Sequence, residues 1–237
     1  MVAGPEVTTF TVSEGQKAAA VAEAVAQAYG GTITAEDFMA CVNNASAYTA
    51  DFPFVDGVYD NSLEGFLFPK TYQIQEGATA DMVVRQMLSQ YQTEVATLDY
   101  SYPASQGLSA YGVLKLASVV EKESDQSTRG LVASVFYNRL AQNMRLQSDA
   151  TVAYVVGHSP SAEEIDATES PYNTYKQDGL PAGPICSPGL EALQAVCSPE
   201  QSNYLYFYFV RNDAGGLDYH FSETYEQHQA AIAGNGA

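Results

Sequence analysis

The 237-residue sequence predicts an α+β fold, with helices through the middle of the chain and short strands near both ends. Three observations support this prediction. Apolar and polar side chains alternate over residues 7–12, as in a strand. A second strand-like segment around Ile74 follows two helical segments. Apolar residues then recur at spacings of three and four, which is the helical period. Near the C-terminus, β-prone residues 204–210 and 217–221 flank a turn, which indicates a hairpin.

The first part of the chain predicts a small strand–helix–helix–strand unit. An alanine-rich helix spans residues 16–29 and ends at Gly30 and Gly31, because glycine readily adopts the left-handed conformation that terminates helices. Thr34 and Asp37 have the spacing of a capping box and open the second helix. A polar, turn-rich loop then covers residues 43–61.

Further helices are predicted over residues 79–98, from Ser109, and from Ser127. Residues 100–107, which contain proline and glycine, predict a linker between two domains. An apolar run at 152–156 predicts another helical segment, and residues 159–170 an acidic surface insertion.

Two short helices complete the prediction. Ser187 and Pro188 resemble the N-cap and first residue of a helix that ends at Cys197. Thr224 and Gln227 have capping-box spacing at the start of a terminal helix.

Composition excludes several classes of function. The chain has 10 Lys and Arg against 28 Asp and Glu, a formal charge of −18, which disfavours binding to nucleic acid or anionic lipid. No apolar run reaches the ~20 residues that span a bilayer, and no signal peptide is visible. Cysteine spacing does not fit a metal site, so no metal is expected. Cys186 and Cys197 could pair in an oxidising compartment and leave Cys41 single, but free, buried thiols are favoured.

The segment 109–124 has the most informative pattern in the chain. Ser109 can cap a helix whose apolar face is formed by Val113, Leu116 and Val120. The next position on that face is Glu123, in the last turn. Burial and the negative end of the helix dipole would both raise the pKa of this carboxyl, as a general acid requires. Glu121 lies off this face, so we expect it to be solvated or to act on Glu123 indirectly, as a partner of the residues around it. The alternative is that the whole Glu-Lys-Glu run is an ordinary solvated helix end.

Sequence motifs for other chemistries are absent, including phosphate-binding loops, the HExxH metal motif and the GxSxG nucleophile motif. His158, His220 and His228 lie near predicted turns or ends, although a Cys186–His220 pair in space stays open. The remaining organised polar set comprises Gln147, Ser148, Asp149, Asn173 and Tyr175. Together with Glu123 it suits acid–base work on a glycoside. Taken singly, these residues also fit a helix cap and an Asx turn.

The sequence resembles the YceG-like (MltG) family of endolytic murein transglycosylases over nearly its whole length. The matching stretches are LEGFLFPKTY (63–72), LASVVEKES (116–124), VASVFYNRLAQNMRLQSDATVAYVVG (132–157), SPYNTYKQDGLPAGPICSPG (170–189) and YLYFYFVRNDAGGLDYHFSETYEQH (204–228). They occur in the family's order, which makes the match specific.

The resemblance implies a small LysM-like α+β subdomain (1–75), a connecting helix and linker (76–106) and a mixed α+β catalytic domain (107–237). It implies that Glu123 is the catalytic acid, working without a cofactor on the bond between MurNAc and GlcNAc inside peptidoglycan strands. Substrate-binding roles are expected for Glu121, Gln147, Ser148, Asp149, Asn173 and Tyr175.

The family resemblance also implies a location. Family members are anchored in the membrane by an N-terminal helix, so this chain is expected to be the extracytoplasmic portion, with cell-wall synthases as possible partners. Two alternatives stay open: a hydrolase that uses water with Asp149 as nucleophile or base, and a non-catalytic wall-binding module.

Overall fold

The computed structural model describes residues 7–75, 77–213 and 215–234, and helices are its main regular structure. The strands in these residues form two separate antiparallel pairs, which confirms the α+β prediction. In chain order the elements are β1 (Val7–Thr11), α1 (Ala18–Ala28), α2 (Ala35–Val42), β2 (Thr71–Gln75), α3 (Ala80–Val95), α4 (Ser101–Ser105), α5 (Ala110–Glu123), α6 (Arg129–Ala141), α7 (Asp149–Val156), α8 (Ala162–Ala167), α9 (Leu190–Cys197), β3 (Tyr206–Arg211), β4 (Leu217–Ser222) and α10 (Tyr225–Gly234). Short 3₁₀ turns occupy much of the predicted loop 43–61: Ala45–Tyr48, Pro53–Val55 and Tyr59–Asn61.

The predicted strand–helix–helix–strand unit is present at the N-terminal end. β1 pairs antiparallel with β2, from Val7 opposite Gln75 to Thr11 opposite Thr71, with α1 and α2 in between. The Thr34–Asp37 capping box forms in full at the start of α2. The likeness of this unit to LysM modules stays a prediction.

The hydrophobic core is one continuous cluster that includes both predicted units. Val21 of α1, Met87 of α3 and Val120 of α5 are all fully buried members of it. The predicted linker 100–107 contains the short helix α4, whose Pro103 is buried. The boundaries at residues 75 and 106 stay predictions.

α5 supplies the framework for the C-terminal part. The Ser109 hydroxyl accepts a hydrogen bond from the Gly112 amide, which confirms the predicted N-cap. Nine residues of this helix are buried, because α9, α6 and α7 all pack against it. The helix therefore carries its last residue, Glu123, into the interior of the protein.

Two predicted helix starts are wrong, by one residue for α6 and by two residues for α9. α6 begins at Arg129 after Thr128, because the Ser127 hydroxyl instead donates to Asp125. α9 begins at Leu190 after Gly189, because the backbone of Ser187 pairs with Gln16 in the loop after β1. Local spacing cannot anticipate such a long-range pairing.

The C-terminal hairpin and helix are confirmed. β3 pairs with β4, from Tyr206 opposite Ser222 to Arg211 opposite Leu217. At the start of α10, Thr224 and Gln227 exchange the two hydrogen bonds of a capping box. In the described parts of the chain, no helix has the length and apolar character needed to cross a bilayer. All three cysteines are free thiols; Cys186 and Cys197 are buried and Cys41 is half-buried.

Glu64 is a buried carboxyl that joins the N-terminal unit to α7. It accepts hydrogen bonds from the amide of Ala18 (3.0 and 3.1 Å), the amide of Gly65 (3.2 Å) and the hydroxyl of Tyr154 (3.3 Å). Gly65 has φ +86°, and a Cβ there would lie 2.5 Å from Pro184. Burial outweighs these hydrogen bonds and raises the pKa of Glu64 to about 7.

We expect this carboxyl to make stability fall as pH rises. A raised folded-state pKa means that the protonated form stabilises the fold fully below pH 4.5, and this contribution is lost as pH passes 7. Between pH 5 and pH 8 the loss should be about 2–3 kcal/mol. In urea unfolding at both pH values, the free energy of unfolding should change less with pH for Glu64→Gln than for wild type. The exposed Glu163→Gln should keep the wild-type dependence, and equal slopes in all three proteins would contradict the prediction.

Candidate active site

A cleft of about 730 Å³ lies where the end of α5 meets the start of α7. The hairpin strand β3 and the loops around Gly15 and Ser159 form its other walls. The polar and charged side chains that line it are Lys17, Lys122, Glu123, Arg139, Gln147, Ser148, Asp149, Tyr154, His158, Ser159, Tyr175 and Tyr208. The cleft therefore brings together parts of the chain that are far apart in sequence.

The side chain of Glu123 lies in this cleft and is only 9% exposed. Its Oε1 atom accepts hydrogen bonds from the Ser148 hydroxyl at 2.5 Å and from the Ala150 amide at 3.3 Å. Among the described residues, both hydrogen bonds that Glu123 receives go to Oε1. This arrangement leaves Oε2 as the oxygen to carry the proton when the carboxyl is neutral.

Opposing influences set the protonation of Glu123. Burial is the largest and raises its pKa, and the charge of Asp149 acts in the same direction. The hydrogen bonds from Ser148 and Ala150 lower it, and burial prevails. Ala150 belongs to the first turn of α7, where backbone N–H groups and the helix dipole favour an anion. The site can thus hold a neutral acid and also stabilise the carboxylate formed when the proton leaves.

Ser148 is held in place by a buried network of hydroxyl groups. Its amide donates to Thr174 Oγ1 at 3.0 Å, and Thr174 Oγ1 lies 2.9 Å from Thr151 Oγ1. Gln147, just before it, has a left-handed backbone (φ +51°) that is sparsely populated by residues other than glycine. The Gln147 amide donates to the Thr174 carbonyl at 3.1 Å, which stabilises this conformation.

Asp149 and Tyr175 form a second polar pair in the cleft. The Tyr175 hydroxyl donates to Asp149 Oδ1 at 2.5 Å, and burial together with this contact raises the pKa of Tyr175. Asn173 does not line the cleft. It is fully buried, its side-chain N–H groups donate to the carbonyls of Ile165 and Thr168, and its Oδ1 accepts from the Tyr175 amide. Asn173 therefore positions Tyr175 rather than reaching into the cleft.

Glu121 lies outside the cleft, in a different environment from the one expected. Its carboxylate accepts a hydrogen bond from the Gly189 amide at 3.1 Å and lies 3.6 Å from Arg129. The side chain is 8% exposed, so the expectation of a solvated residue is wrong. Burial raises the pKa of Glu121. The reason is packing: α6 and the start of α9 cover this side of α5.

Several cleft residues were not predicted. Arg139 lines the cleft but is largely buried, and it donates to the carbonyls of Leu205, Arg145 and Leu146 and to Gln147 Oε1. Lys17, Lys122, His158 and the hairpin residues Phe207, Tyr208 and Phe209 also line the cleft. Their sequence signal is weak, because single lysines and aromatic strand residues are common in surfaces and cores.

In the other candidate sites, the polar groups are already engaged in structural contacts. A larger cavity of about 930 Å³ lies beside α1 and the start of α3, but its acidic residues Asp37 and Asp81 are used in the α2 cap and in an ion pair with Arg85. Cys186 donates to the Ser118 carbonyl, and burial raises its thiol pKa, whereas His220 stacks on Tyr208. Among the described residues, no group of three His, Cys, Asp or Glu side chains could hold a metal ion.

We expect Ser148→Ala to change the pH dependence of any reaction that uses Glu123 as an acid. Loss of the hydroxyl donor removes an interaction that favours the carboxylate, so the pKa of Glu123 rises further. The alkaline limb of the kcat/KM profile should move to higher pH, with activity at the optimum reduced about tenfold. Ser134→Ala, which removes a buried hydroxyl bonded to Ser202 outside the cleft, is the matched control. An unmoved alkaline limb would argue against the Ser148–Glu123 coupling.

Comparison with known proteins places this geometry in a family. The model of the YceG-like family matches residues 1–234. The chain is 35% identical, over 97% of its length, to an endolytic murein transglycosylase of Streptococcus pneumoniae strain R6, and 36% identical, over 71% of its length, to one of Bacillus subtilis strain 168. It covers 45% and 47% of these relatives.

A solved structure supports the same assignment. The crystal structure of a yceG-like protein from Listeria monocytogenes superposes with a TM-score of 0.80 at 31% identity, over 94% of this chain and 76% of that one. The superposition covers nearly all of this chain. The chain therefore belongs to the YceG-like family.

Proposed function

We propose that this chain is the catalytic portion of an endolytic peptidoglycan lytic transglycosylase. The observation that carries the proposal is Glu123: a buried carboxyl with a raised pKa, placed in an open cleft. The pneumococcal and Bacillus relatives named endolytic murein transglycosylases support murein as the substrate. We place the reaction at the β-1,4 bond between MurNAc and GlcNAc within glycan strands.

The proposed reaction uses one residue as acid and then as base. Glu123 gives its proton to the glycosidic oxygen as the bond from that oxygen to C1 of MurNAc breaks. The carboxylate then removes the proton from the C6 hydroxyl of the same MurNAc, whose oxygen bonds to C1 and closes a 1,6-anhydro ring. The nucleophile is tethered to the reacting centre, so its effective concentration is high.

The surrounding residues support both halves of this cycle. The donors on Oε1, from Ser148 and Ala150, stabilise the carboxylate between the two proton transfers. Asp149 is exposed to the cleft and can stabilise positive charge that develops at C1. Gln147 and Tyr175 line the cleft, and in this proposal they orient the sugars, with Asn173 acting through Tyr175.

Product analysis tests the proposal. Purified sacculi or long glycan strands are digested with the protein, and the fragments are identified by mass spectrometry. We expect 1,6-anhydro-MurNAc ends from internal cuts. Reducing ends would instead support the hydrolase alternative, which Asp149 makes chemically reasonable because a carboxylate in the cleft can activate water. Binding without any product would support a non-catalytic wall-binding module.

The proposed substrate also sets the location. Peptidoglycan lies outside the cytoplasmic membrane, so we propose that this chain works in the extracytoplasmic space, with membrane anchoring and contacts to cell-wall synthases as further expectations. Fractionation of cells, with this segment detected by protease accessibility, would test that placement.

A further inference from the structure

The cleft has three basic residues in its lining, although the chain as a whole carries a formal charge of −18. Of the ten Lys and Arg residues, five have a carboxylate within ion-pair distance: Lys70, Arg85, Arg129, Arg145 and Lys176. The other five are Lys17, Lys115, Lys122, Arg139 and Arg211, for which the described residues provide no such pair. Three of these, Lys17, Lys122 and Arg139, line the Glu123 cleft.

Backbone carbonyls hold the two lysines in place. Lys17 Nζ donates to the carbonyls of Ala153 (3.4 Å) and Tyr154 (3.1 Å) near the end of α7, and Lys122 Nζ donates to the Gly15 carbonyl at 3.5 Å. A Cβ added to Gly15, which has φ +73°, would lie 3.5 Å from Lys122 Nζ. The β1–α1 loop thus packs directly on Lys122, and the two lysines share one part of the cleft wall.

Hydrogen-bonding capacity remains on both ammonium groups. Each ammonium has three N–H donors, and within the described structure Lys122 uses one of them, at the long limit for a hydrogen bond. Burial lowers the pKa of Lys17, Lys122 lowers it further, and Glu64 opposes this. Glu64 itself bonds to Ala18, Gly65 and Tyr154, not to the Lys17 ammonium. Two like charges held together in this way favour an anionic ligand.

We propose that Lys17 and Lys122 form a carboxylate-binding subsite, which holds an anionic group of the glycan strand beside Glu123. The inference rests on the proposed function for its ligand, because peptidoglycan strands carry carboxylates. Two sources share that chemistry: the carboxylates of the stem peptide, and the lactyl carboxylate of MurNAc after the peptide is removed. In this position the subsite sets which muramyl residue is cut, since Lys122 adjoins Glu123 in sequence and both line the cleft.

Binding is measured by calorimetry in a Glu123→Gln background, so that the probe stays intact. The probe is a GlcNAc–MurNAc tetrasaccharide in three forms: with free stem-peptide carboxylates, with those carboxylates amidated, and without peptide. We expect Lys17→Gln/Lys122→Gln to raise the Kd for the free-carboxylate probe about tenfold and to remove most of its salt dependence. Amidation of the probe should raise its Kd by a similar factor for the protein that keeps both lysines. It should have little effect on the Kd for the double lysine variant.

Matched controls separate this effect from charge and folding. Lys70→Gln/Lys176→Gln removes the same net charge outside the cleft and should leave every Kd within twofold. Lys122→Gln alone keeps the Lys17 contacts with α7, so its effect cannot come from their loss. Among the described residues, the Lys122 ammonium makes only the long hydrogen bond to Gly15. It should weaken binding of the free-carboxylate probe about threefold or more.

The arms also identify the source of the anion. The lactyl carboxylate is free only in the peptide-free probe, so lysine-dependent binding of that probe alone, with both peptide-bearing probes weak, assigns the lactyl group. Lysine-dependent binding that is lost on amidation, with the peptide-free probe as weak as the amidated one, assigns the stem peptide. Equal binding of all probes by both lysine variants and the background protein would overturn the subsite. If the wild-type chain cuts no strand while lysine-dependent binding persists, the proposed function fails and the subsite stands. Anhydro products without lysine-dependent binding give the reverse result.

Discussion

Glu123→Gln is expected to abolish the release of anhydro-ended fragments, with a loss of at least about 10³-fold in kcat/KM. The amide is nearly the same size as the carboxylic acid and can still accept hydrogen bonds from Ser148 and Ala150 through its oxygen. It cannot give a proton to the leaving glycosidic oxygen, nor take one from the C6 hydroxyl. Both halves of the proposed cycle therefore stop, and product release is measured by mass spectrometry over time.

Folding and substrate binding should survive this substitution. Removing a buried ionisable group relieves its desolvation, so the thermal unfolding midpoint should be unchanged or slightly higher. Glu64→Gln is the matched control, because Glu64 is also buried with a raised pKa but does not line the cleft. It should keep activity within about threefold. A Glu123→Gln protein with wild-type turnover would remove Glu123 from the reaction.

Arg139→Met is expected to have the largest effect on stability. The guanidinium is buried and donates to three backbone carbonyls and to Gln147, and it also lies over the Tyr206 ring. Methionine fills part of the volume but leaves these buried acceptors without a donor. The free energy of unfolding should fall by about 3 kcal/mol, which lowers the melting temperature by roughly 10 °C in a domain of this size.

Activity should fall with stability in this variant, because Arg139 ties the 145–147 segment to the start of β3. Arg139→Lys should rescue little, since one ammonium cannot match the several donors of a guanidinium. Arg85→Met is the control: its ion pairs with Asp51 and Asp81 are exposed, so its loss should cost less than about 1 kcal/mol. Equal destabilisation by Arg139→Met and Arg85→Met would contradict this account of the buried arginine.

The candidate site could be predicted from sequence only in part. Glu123 was predicted because its place on an apolar helical face depends on backbone geometry within one element. Gln147, Ser148, Asp149 and Tyr175 were predicted as a polar set, and the structure brings them into the cleft with Glu123.

Long-range contacts account for the differences between the predicted and the observed candidate site. Glu121 has the same residue type and nearly the same position as Glu123, yet it faces Arg129 and Gly189 instead of the cleft. Lys17 reaches the carbonyl of Ala153, 136 residues away in the chain. No periodicity links such pairs.

Helix periods, caps and turn residues were readable because each depends on atoms a few residues apart, so the α+β class, the hairpin and the inward face of α5 followed from the chain alone. Packing between distant segments was needed to bury Glu123 against the first turn of α7, to place Asn173 behind Tyr175 and to gather Lys17 and Lys122. Those arrangements depend on how many side chains fill a shared volume at once, and a linear pattern does not contain that information.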